Sequence, residues 1–304
     1  MMPQSIQALN QELGARNYVA DRGLVTAAFL ALKLCKPLFL EGEAGVGKTE
    51  IAKVLANVLE TDLIRLQCYE GLDINHAVYE WNYARQLLEL RAHDSDAAAH
   101  THPDIFAPEF LIKRPLLQAI EESRTRAPVL LIDEVDRSDT EFEAYLLELL
   151  SDWQITIPEL GTLKAVYPPV VVITSNRTRE LHDALKRRCI YYWIDYPNFE
   201  KELTIVRAKV PQADAQLAEQ VVAFIQELRK RDLYKMPGVA ETLDWASALA
   251  ALDQTALDER VVNETLGVIL KYQDDVAQVQ GGVAKDLTAH AQTFRERGYE
   301  RATQ

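Results

Sequence analysis

Cysteine, positive charge and long apolar runs are all scarce in this chain, and each shortage removes a class of protein. Only Cys35, Cys68 and Cys189 occur among 304 residues. They lie far apart, without the close spacings that hold zinc, so buried thiols are expected. No apolar stretch approaches the ~20 residues that cross a bilayer, which predicts no membrane span. The opening Met1-Met2-Pro3-Gln4-Ser5-Ile6-Gln7 has neither the cationic nor the apolar zone of a signal peptide, and a cytoplasmic location is expected. Thirty-three basic against 46 acidic side chains leave a formal charge of −13. A nucleic-acid backbone would meet net repulsion, and basic clusters such as Lys186-Arg187-Arg188 and Arg229-Lys230-Arg231 are small, so no nucleic-acid partner is expected. Glycine and proline, 12 of each, are not enriched, and 48% apolar with 26% charged residues is ordinary for a globular protein.

What is present is an alternation of short apolar segments with helical ones. Residues 38–41, 63–67, 129–132, 170–174 and 191–194 read as buried strands. The spacing predicts an α/β unit over residues 1–197, with a five-stranded parallel sheet covered on both faces and a ligand at the carboxyl ends of the strands. Beyond it, helical periodicity takes over at 199–210, 214–231, 239–252 and 258–277, punctuated by Pro211, Pro237-Gly238 and Gly281-Gly282. An all-α domain over residues 198–304 is expected. Between the third and fourth strands, residues 153–167 alternate apolar and polar around Glu159-Leu160-Gly161-Thr162, which predicts an inserted β-hairpin. The apolar stripe at 261–270 suits a partner surface or, as is commoner, a core-facing helix. His93, His100 and His102 with Asp94, Asp96 and Asp104 offer metal-ligating chemistry, but no hydrophobic period fixes them and a solvated loop is expected.

The chemistry concentrates at strand ends. Gly42-Glu43-Ala44-Gly45-Val46-Gly47-Lys48-Thr49 fills every fixed position of the G-x-x-x-x-G-K-[ST] phosphate loop, between an apolar strand and an amphipathic helix opening at Glu50. The glycines let backbone N–H groups point at phosphate oxygens, and the helix N-terminus favours the same anion. Lys48 is then placed to reach β and γ phosphates, and Thr49 to ligate Mg²⁺. Residues 42–50 are the expected ATP-binding set; the alternative is a glycine-rich turn that binds nothing. Val129-Leu130-Leu131-Ile132-Asp133-Glu134 ends a buried strand in two carboxylates, a Walker B arrangement. Asp133 is expected to hold Mg²⁺ and Glu134 to act as general base on water. Asn176, ending Val171-Val172-Ile173-Thr174-Ser175-Asn176, can hydrogen-bond a γ-phosphate or serve simply as a turn former. Arg187 and Arg188, just before the fifth strand, are either surface charges or a finger for a neighbouring subunit's nucleotide.

With these motifs in this order, the chain resembles the AAA+ ATPases and, within them, the MoxR group. The resemblance implies a P-loop core with an inserted hairpin and a helical lid, assembled as a homo-oligomeric ring, usually a hexamer, with the hairpin directed to the pore. Leu66-Gln67-Cys68-Tyr69-Glu70-Gly71-Leu72-Asp73, Val78-Tyr79-Glu80-Trp81-Asn82-Tyr83, Arg114-Pro115-Leu116-Leu117-Gln118-Ala119 and Phe142-Glu143-Ala144-Tyr145-Leu146-Leu147-Glu148 are most similar to the subgroup associated with aerobic carbon monoxide dehydrogenase maturation. That likeness implies a von Willebrand factor A-domain partner and a metalloenzyme client, a molybdenum hydroxylase. Two other functions fit an AAA+ fold, a nucleic-acid-handling motor and a nucleotide-gated scaffold without turnover; the negative charge opposes the first and the intact carboxylate pair the second. One position departs from the family's Gly-x-Ser-Pro-Arg lid pattern, since the stretch reads Gly238-Val239-Ala240-Glu241-Thr242. Glu241 there either repels a γ-phosphate, leaving nucleotide sensing to Lys235 or a neighbour's arginine, or simply caps its helix.

Overall fold

The computed structural model describes residues 2–94, 104–122 and 126–301. The chain opens with helices α1 (Ile6–Ala15) and α2 (Arg22–Leu34), then strand β1 (Leu38–Gly42), α3 (Lys48–Leu59), β2 (Leu63–Gln67), α4 (Ile74–Ala77), β3 (Tyr79–Trp81) and α5 (Tyr83–Asp94). There follow β4 (Leu111–Lys113), α6 (Pro115–Glu122), β5 (Val129–Asp133), α7 (Thr140–Asp152), β6 (Gln154–Ile157), β7 (Gly161–Lys164), β8 (Val170–Ser175), α8 (Asp183–Arg188) and β9 (Ile190–Ile194). The remainder is helical: α9 (Phe199–Lys209), α10 (Ala215–Leu228), α11 (Val239–Ala251), α12 (Glu259–Ile269), α13 (Gln273–Val279) and α14 (Gly282–Arg301).

The main sheet has the strand order β2-β5-β8-β1-β9. Its inner strands β1 and β5 are buried at every residue, which is why their sequences are unbroken apolar runs rather than alternations. At the edge, β2 alternates instead: Ile64 and Leu66 enter the core while Arg65 turns outward. The parallel register sets Gln67 beside Asp133 and Ile132 beside Ile173, so the polar residues that end each run gather along one edge of the sheet. The predicted hairpin forms with Gln154 opposite Lys164 and Ile157 opposite Gly161. Its Ile155 and Ile157 enter the same core as Phe142 and Leu146 of α7, leaving Thr156 and Thr162 on the outer face.

By density of contacts the chain divides into two units, one of residues 1–10, 22–41 and 49–193, the other of residues 11–21, 42–48 and 194–304. The second has its own core around Trp245, Phe224, Val222 and Leu266. The stripe on α12 is part of it, with Val261, Val262, Leu266 and Ile269 all buried, as a core-facing helix requires. Gly281-Gly282 does separate two helices, but the helix expected over 258–277 is two. Leu270 and Tyr272 are extended, Leu270 packs inward, and Lys271 Nζ caps the Val268 carbonyl at 2.7 Å. The break lets Asp275 of α13, itself buried, accept the Tyr234 and Lys235 amides at 2.8 and 3.2 Å.

One small sheet was not expected, and two other expectations are corrected. Residues 79–81 and 111–113 form a small antiparallel ladder of three-residue strands, too short to show a period in sequence. Helix α5 continues to Asp94, so His93 and Asp94 are helical rather than in a loop, while Asp96, His100 and His102 lie outside the described residues. Among the described residues no cluster of His, Cys, Asp and Glu suits a metal bound by three such side chains. Cys68 is buried and its thiol is pushed up to about 12 by that burial and by the Asp133 charge. Cys189 is half-buried and Cys35 is exposed, so only one thiol of the three meets the expectation of burial.

In the second unit, Glu202 is wholly buried and each carboxylate oxygen is doubly engaged: Arg229 donates to both at 2.7 Å, Gln226 Nε2 to one at 2.6 Å and Thr242 Oγ1 to the other at 2.7 Å. Arg229 also stacks its guanidinium over Tyr196 at 4.8 Å. Removing one partner of such a pair leaves a buried charge uncompensated. Arg229→Ala is therefore expected to destabilise this unit by about 3–5 kcal/mol, read from its chemical denaturation midpoint; a loss no larger than that of an exposed substitution such as Lys230→Ala would contradict it.

Candidate functional site

The apolar run of β5 ends on Asp133, which is 2% exposed. A carboxylate so buried needs hydrogen-bond donors, and three separate elements supply them. Thr49 Oγ1, in the first turn of α3, donates to Oδ1 at 3.0 Å; Thr174 Oγ1, near the end of β8, donates to the same oxygen at 2.5 Å. Arg65 Nη2, from the edge strand, donates to Oδ2 at 2.6 Å.

Glu134 follows immediately, but its carboxylate is aimed elsewhere because its backbone is left-handed, at φ 55° and ψ 49°. That conformation is uncommon for a side chain of this size and costs of order 1 kcal/mol or more. It is held by the Glu134 amide donating to Thr174 Oγ1 at 2.9 Å and by the short helical turn that follows. The carboxylate then receives Gln67 Nε2 at 3.1 Å, Asn176 Nδ2 at 3.4 Å and Arg137 Nε at 2.9 Å. Thr174 thus fixes both acids, its hydroxyl donating to one and accepting from the amide of the other.

Asn176 is set by Asp136, whose Oδ1 accepts the Asn176 amide at 3.2 Å while Oδ2 accepts the Thr178 amide at 2.8 Å and its hydroxyl at 2.6 Å. Burial raises the Asp136 pKa, but these donors outweigh it and hold the carboxyl below its ordinary 3.8. The structure therefore brings Thr49, Asp133, Glu134 and Asn176 together. It adds Arg65, Gln67, Thr174, Asp136 and Thr178, which the sequence analysis missed; the outward positions of an Arg-x-Gln edge strand were the available signal for the first two.

The phosphate-loop residues before Thr49, Gly42 to Lys48, belong to the other unit. A Cβ on Gly42, which sits at φ +154°, would collide with the Ile194 carbonyl. The Lys48 amine is buried and donates to the Gly42 and Glu43 carbonyls at 2.7 and 2.6 Å. Helix α11 begins against this loop: Ala240 N donates to the Gly45 carbonyl at 3.1 Å, and a Cβ on Gly238 would come within 2.7 Å of the Ala44 carbonyl. Glu241 accepts the Gly238 amide at 2.9 Å, so it caps its helix. Lys235 is exposed and its backbone amide is held by Asp275. Glu43 is exposed, Ala44 likewise, and Val46 and Glu50 are half-buried.

Arg187 and Arg188 are not part of the carboxylate cluster. Both are exposed at the end of α8, where Arg188 donates to Ser151 Oγ and the Ala184 carbonyl, each at 3.1 Å. Lys186, their neighbour, turns inward to Glu41 at 3.1 Å, and Glu41 also accepts from Tyr191 at 2.9 Å.

A glycine-rich loop before a helix, a hydroxyl on that helix and an acidic pair ending the adjacent-but-one strand of a five-stranded parallel sheet together define the P-loop AAA+ fold. The AAA domain family, dynein-related subfamily, matches residues 37–189, and the chain belongs to it. It is 26% identical over 269 residues to an uncharacterized protein of Staphylococcus epidermidis, covering 85% of this chain and 93% of that protein. The figures are the same for a Staphylococcus aureus protein over 271 residues. Among solved structures, a RuvB mutant of Thermotoga maritima is similar with a TM-score of 0.49 and 17% identity, over 90% of this chain and 75% of that one. No described helix is long and apolar enough to cross a membrane.

Asp136→Asn is expected to cost about 1–3 kcal/mol at neutral pH, because an amide cannot accept all three donors. The lowered pKa fixes the sign of the pH dependence. Asp136 stabilises the fold fully above its unfolded value near 3.8, and that contribution is lost as pH falls through the lower folded value. Melting temperature followed through acid pH should therefore fall less steeply below about pH 4 in the variant; parallel curves would exclude the assignment.

Proposed function

We propose that this chain is an ATP-hydrolysing, ring-forming AAA+ protein of the MoxR type, in which residues 1–197 bind nucleotide and residues 198–304 form a helical lid. Its work is the remodelling of a protein client, a metalloenzyme of the molybdenum hydroxylase kind such as carbon monoxide dehydrogenase, together with a partner carrying a von Willebrand factor A-domain. The observation that carries the nucleotide reading is the 3.0 Å approach of Thr49 Oγ1, the last residue of a phosphate-loop pattern in sequence, to Asp133 Oδ1. Two hard oxygens so close form a donor set that suits Mg²⁺. Bound there, the ion would neutralise charge on the β and γ phosphates. The client and partner rest on the resemblance of the four segments around residues 66–83, 114–119 and 142–148.

Each residue then has a task. Backbone amides of Gly42, Glu43, Ala44, Gly45, Val46 and Gly47 cradle phosphate oxygens; Lys48 exchanges its two carbonyl partners for phosphate; Thr49 and Asp133 hold the cation; Glu50 lies at the start of the dipole-bearing helix. Glu134, aimed by its left-handed backbone, takes a proton from water that Asn176 orients. Arg187 and Arg188, exposed at the end of α8, are available to a neighbouring subunit's nucleotide.

Glu134→Gln is expected to retain ATP binding while phosphate release falls about 10²–10⁴-fold; unchanged turnover with intact binding would remove Glu134 from the mechanism. In the assembled oligomer, Arg187→Ala or Arg188→Ala is expected to lose about 10³–10⁵ in rate without losing ATP binding. Full activity in both variants, with assembly confirmed by light scattering, would eliminate the trans-acting arginine.

A further inference from the structure

Arg65 carries no task in the scheme above, yet it donates to one carboxylate oxygen of the buried Asp133, the oxygen that Thr49 and Thr174 do not engage. Its position follows from the sheet. β2 lies next to β5, and the period-two pleat puts Arg65 and Gln67 on the same outward side while Ile64 and Leu66 enter the core. The guanidinium is clamped from two directions, donating to Asp133 Oδ2 at 2.6 Å and to Gln67 Oε1 at 2.5 Å. Thr49 and Thr174 engage the other oxygen, Oδ1. The carboxylate therefore has two faces of different character, one shared between hydroxyls and one matched to a fixed positive charge.

We propose that Arg65 is a positioning residue and built-in counter-cation of Asp133, and that it sets how much Mg²⁺ the site needs before nucleotide binds. This rests on the reading of Thr49 and Asp133 as the cation's ligands. Arg65 already partly neutralises the carboxylate at Oδ2, so Asp133 would attract a divalent ion less strongly, and the guanidinium would add repulsion between like charges. Both effects oppose the ion. The carboxylate, in exchange, is held in one orientation. Since the Arg65 side chain is 51% exposed, its repulsion is open to screening, whereas the contact with Asp133, 3% exposed at its side chain, is sheltered. The cation threshold should accordingly depend on ionic strength.

The test is calorimetric binding of adenylyl imidodiphosphate, a non-hydrolysable ATP analogue, across a Mg²⁺ titration. Arg65→Gln, neutral but still a donor, is expected to lower the Mg²⁺ concentration for half-maximal nucleotide binding by about three- to tenfold. Arg65→Lys, which keeps the charge, should stay within about twofold of the parent, and the gap between the two variants should narrow as KCl is raised. A purely structural role would move both variants alike and would not respond to salt. An unchanged or raised Mg²⁺ requirement in Arg65→Gln overturns the proposal while leaving the nucleotide site intact. Failure of the unsubstituted protein to bind the analogue at any Mg²⁺ concentration overturns the proposal and the site together.

Discussion

A carboxylate can be buried at the end of β5 only if the surrounding chain supplies what water would have supplied. Asp133 is the residue on which the local structure depends for that reason: α3, β8 and β2 each send it one donor, and these elements are far apart in sequence. The parallel register places the three strand ends level enough for the donors to reach. A slip of one residue in β2 would turn Arg65 into the core and leave Asp133 Oδ2 without its partner. The polar cluster is therefore a check on register, which an apolar sheet alone would not provide.

The same logic recurs away from the cluster. Glu202 in the helical unit is as deeply buried as Asp133 and is satisfied by Gln226 and Arg229 at the end of α10 and by Thr242 of α11. The difference lies in the donors. Glu202 is saturated by partners that are themselves buried or half-buried, whereas Asp133 has hydroxyls on one side and a half-exposed cation on the other. A saturated carboxylate holds helices together; one met by exchangeable hydroxyls is suited to accept a different ligand.

Much of this was legible in the sequence because it is written in periods and fixed spacings. The inner strands were visible as unbroken apolar runs, since both faces of β1 and β5 are covered, and the hairpin was visible as alternation around Gly161. The phosphate-loop pattern, Asp133-Glu134 and Asn176 stood out because each ends such a run. Three kinds of feature were hidden. The ladder of β3 and β4 is too short for a period, and the break at Leu270 to Tyr272 depends on a buried acid that a helical stripe does not reveal. The partners of the acids were hidden because Arg65, Thr174 and Thr178 look like ordinary polar residues until the register brings them to Asp133 and Asp136. Glu241 was ambiguous for a different reason, as the same carboxylate three residues into a helix suits a cap or a repulsive neighbour, and only its 2.9 Å contact with the Gly238 amide distinguishes them.

The contact of α11 with the glycine-rich loop reaches beyond packing. A trans peptide is planar, with its carbonyl and the following N–H directed oppositely. By accepting from Ala240, the Gly45 carbonyl is committed to the start of α11, and the Val46 N–H of the same peptide unit is thereby turned to the other side of the loop. The first turn of a helix nearly two hundred residues downstream acts as the rudder of a single peptide plane. Any shift of that helix start would swing the plane, and with it the direction in which one of the loop's amides is offered.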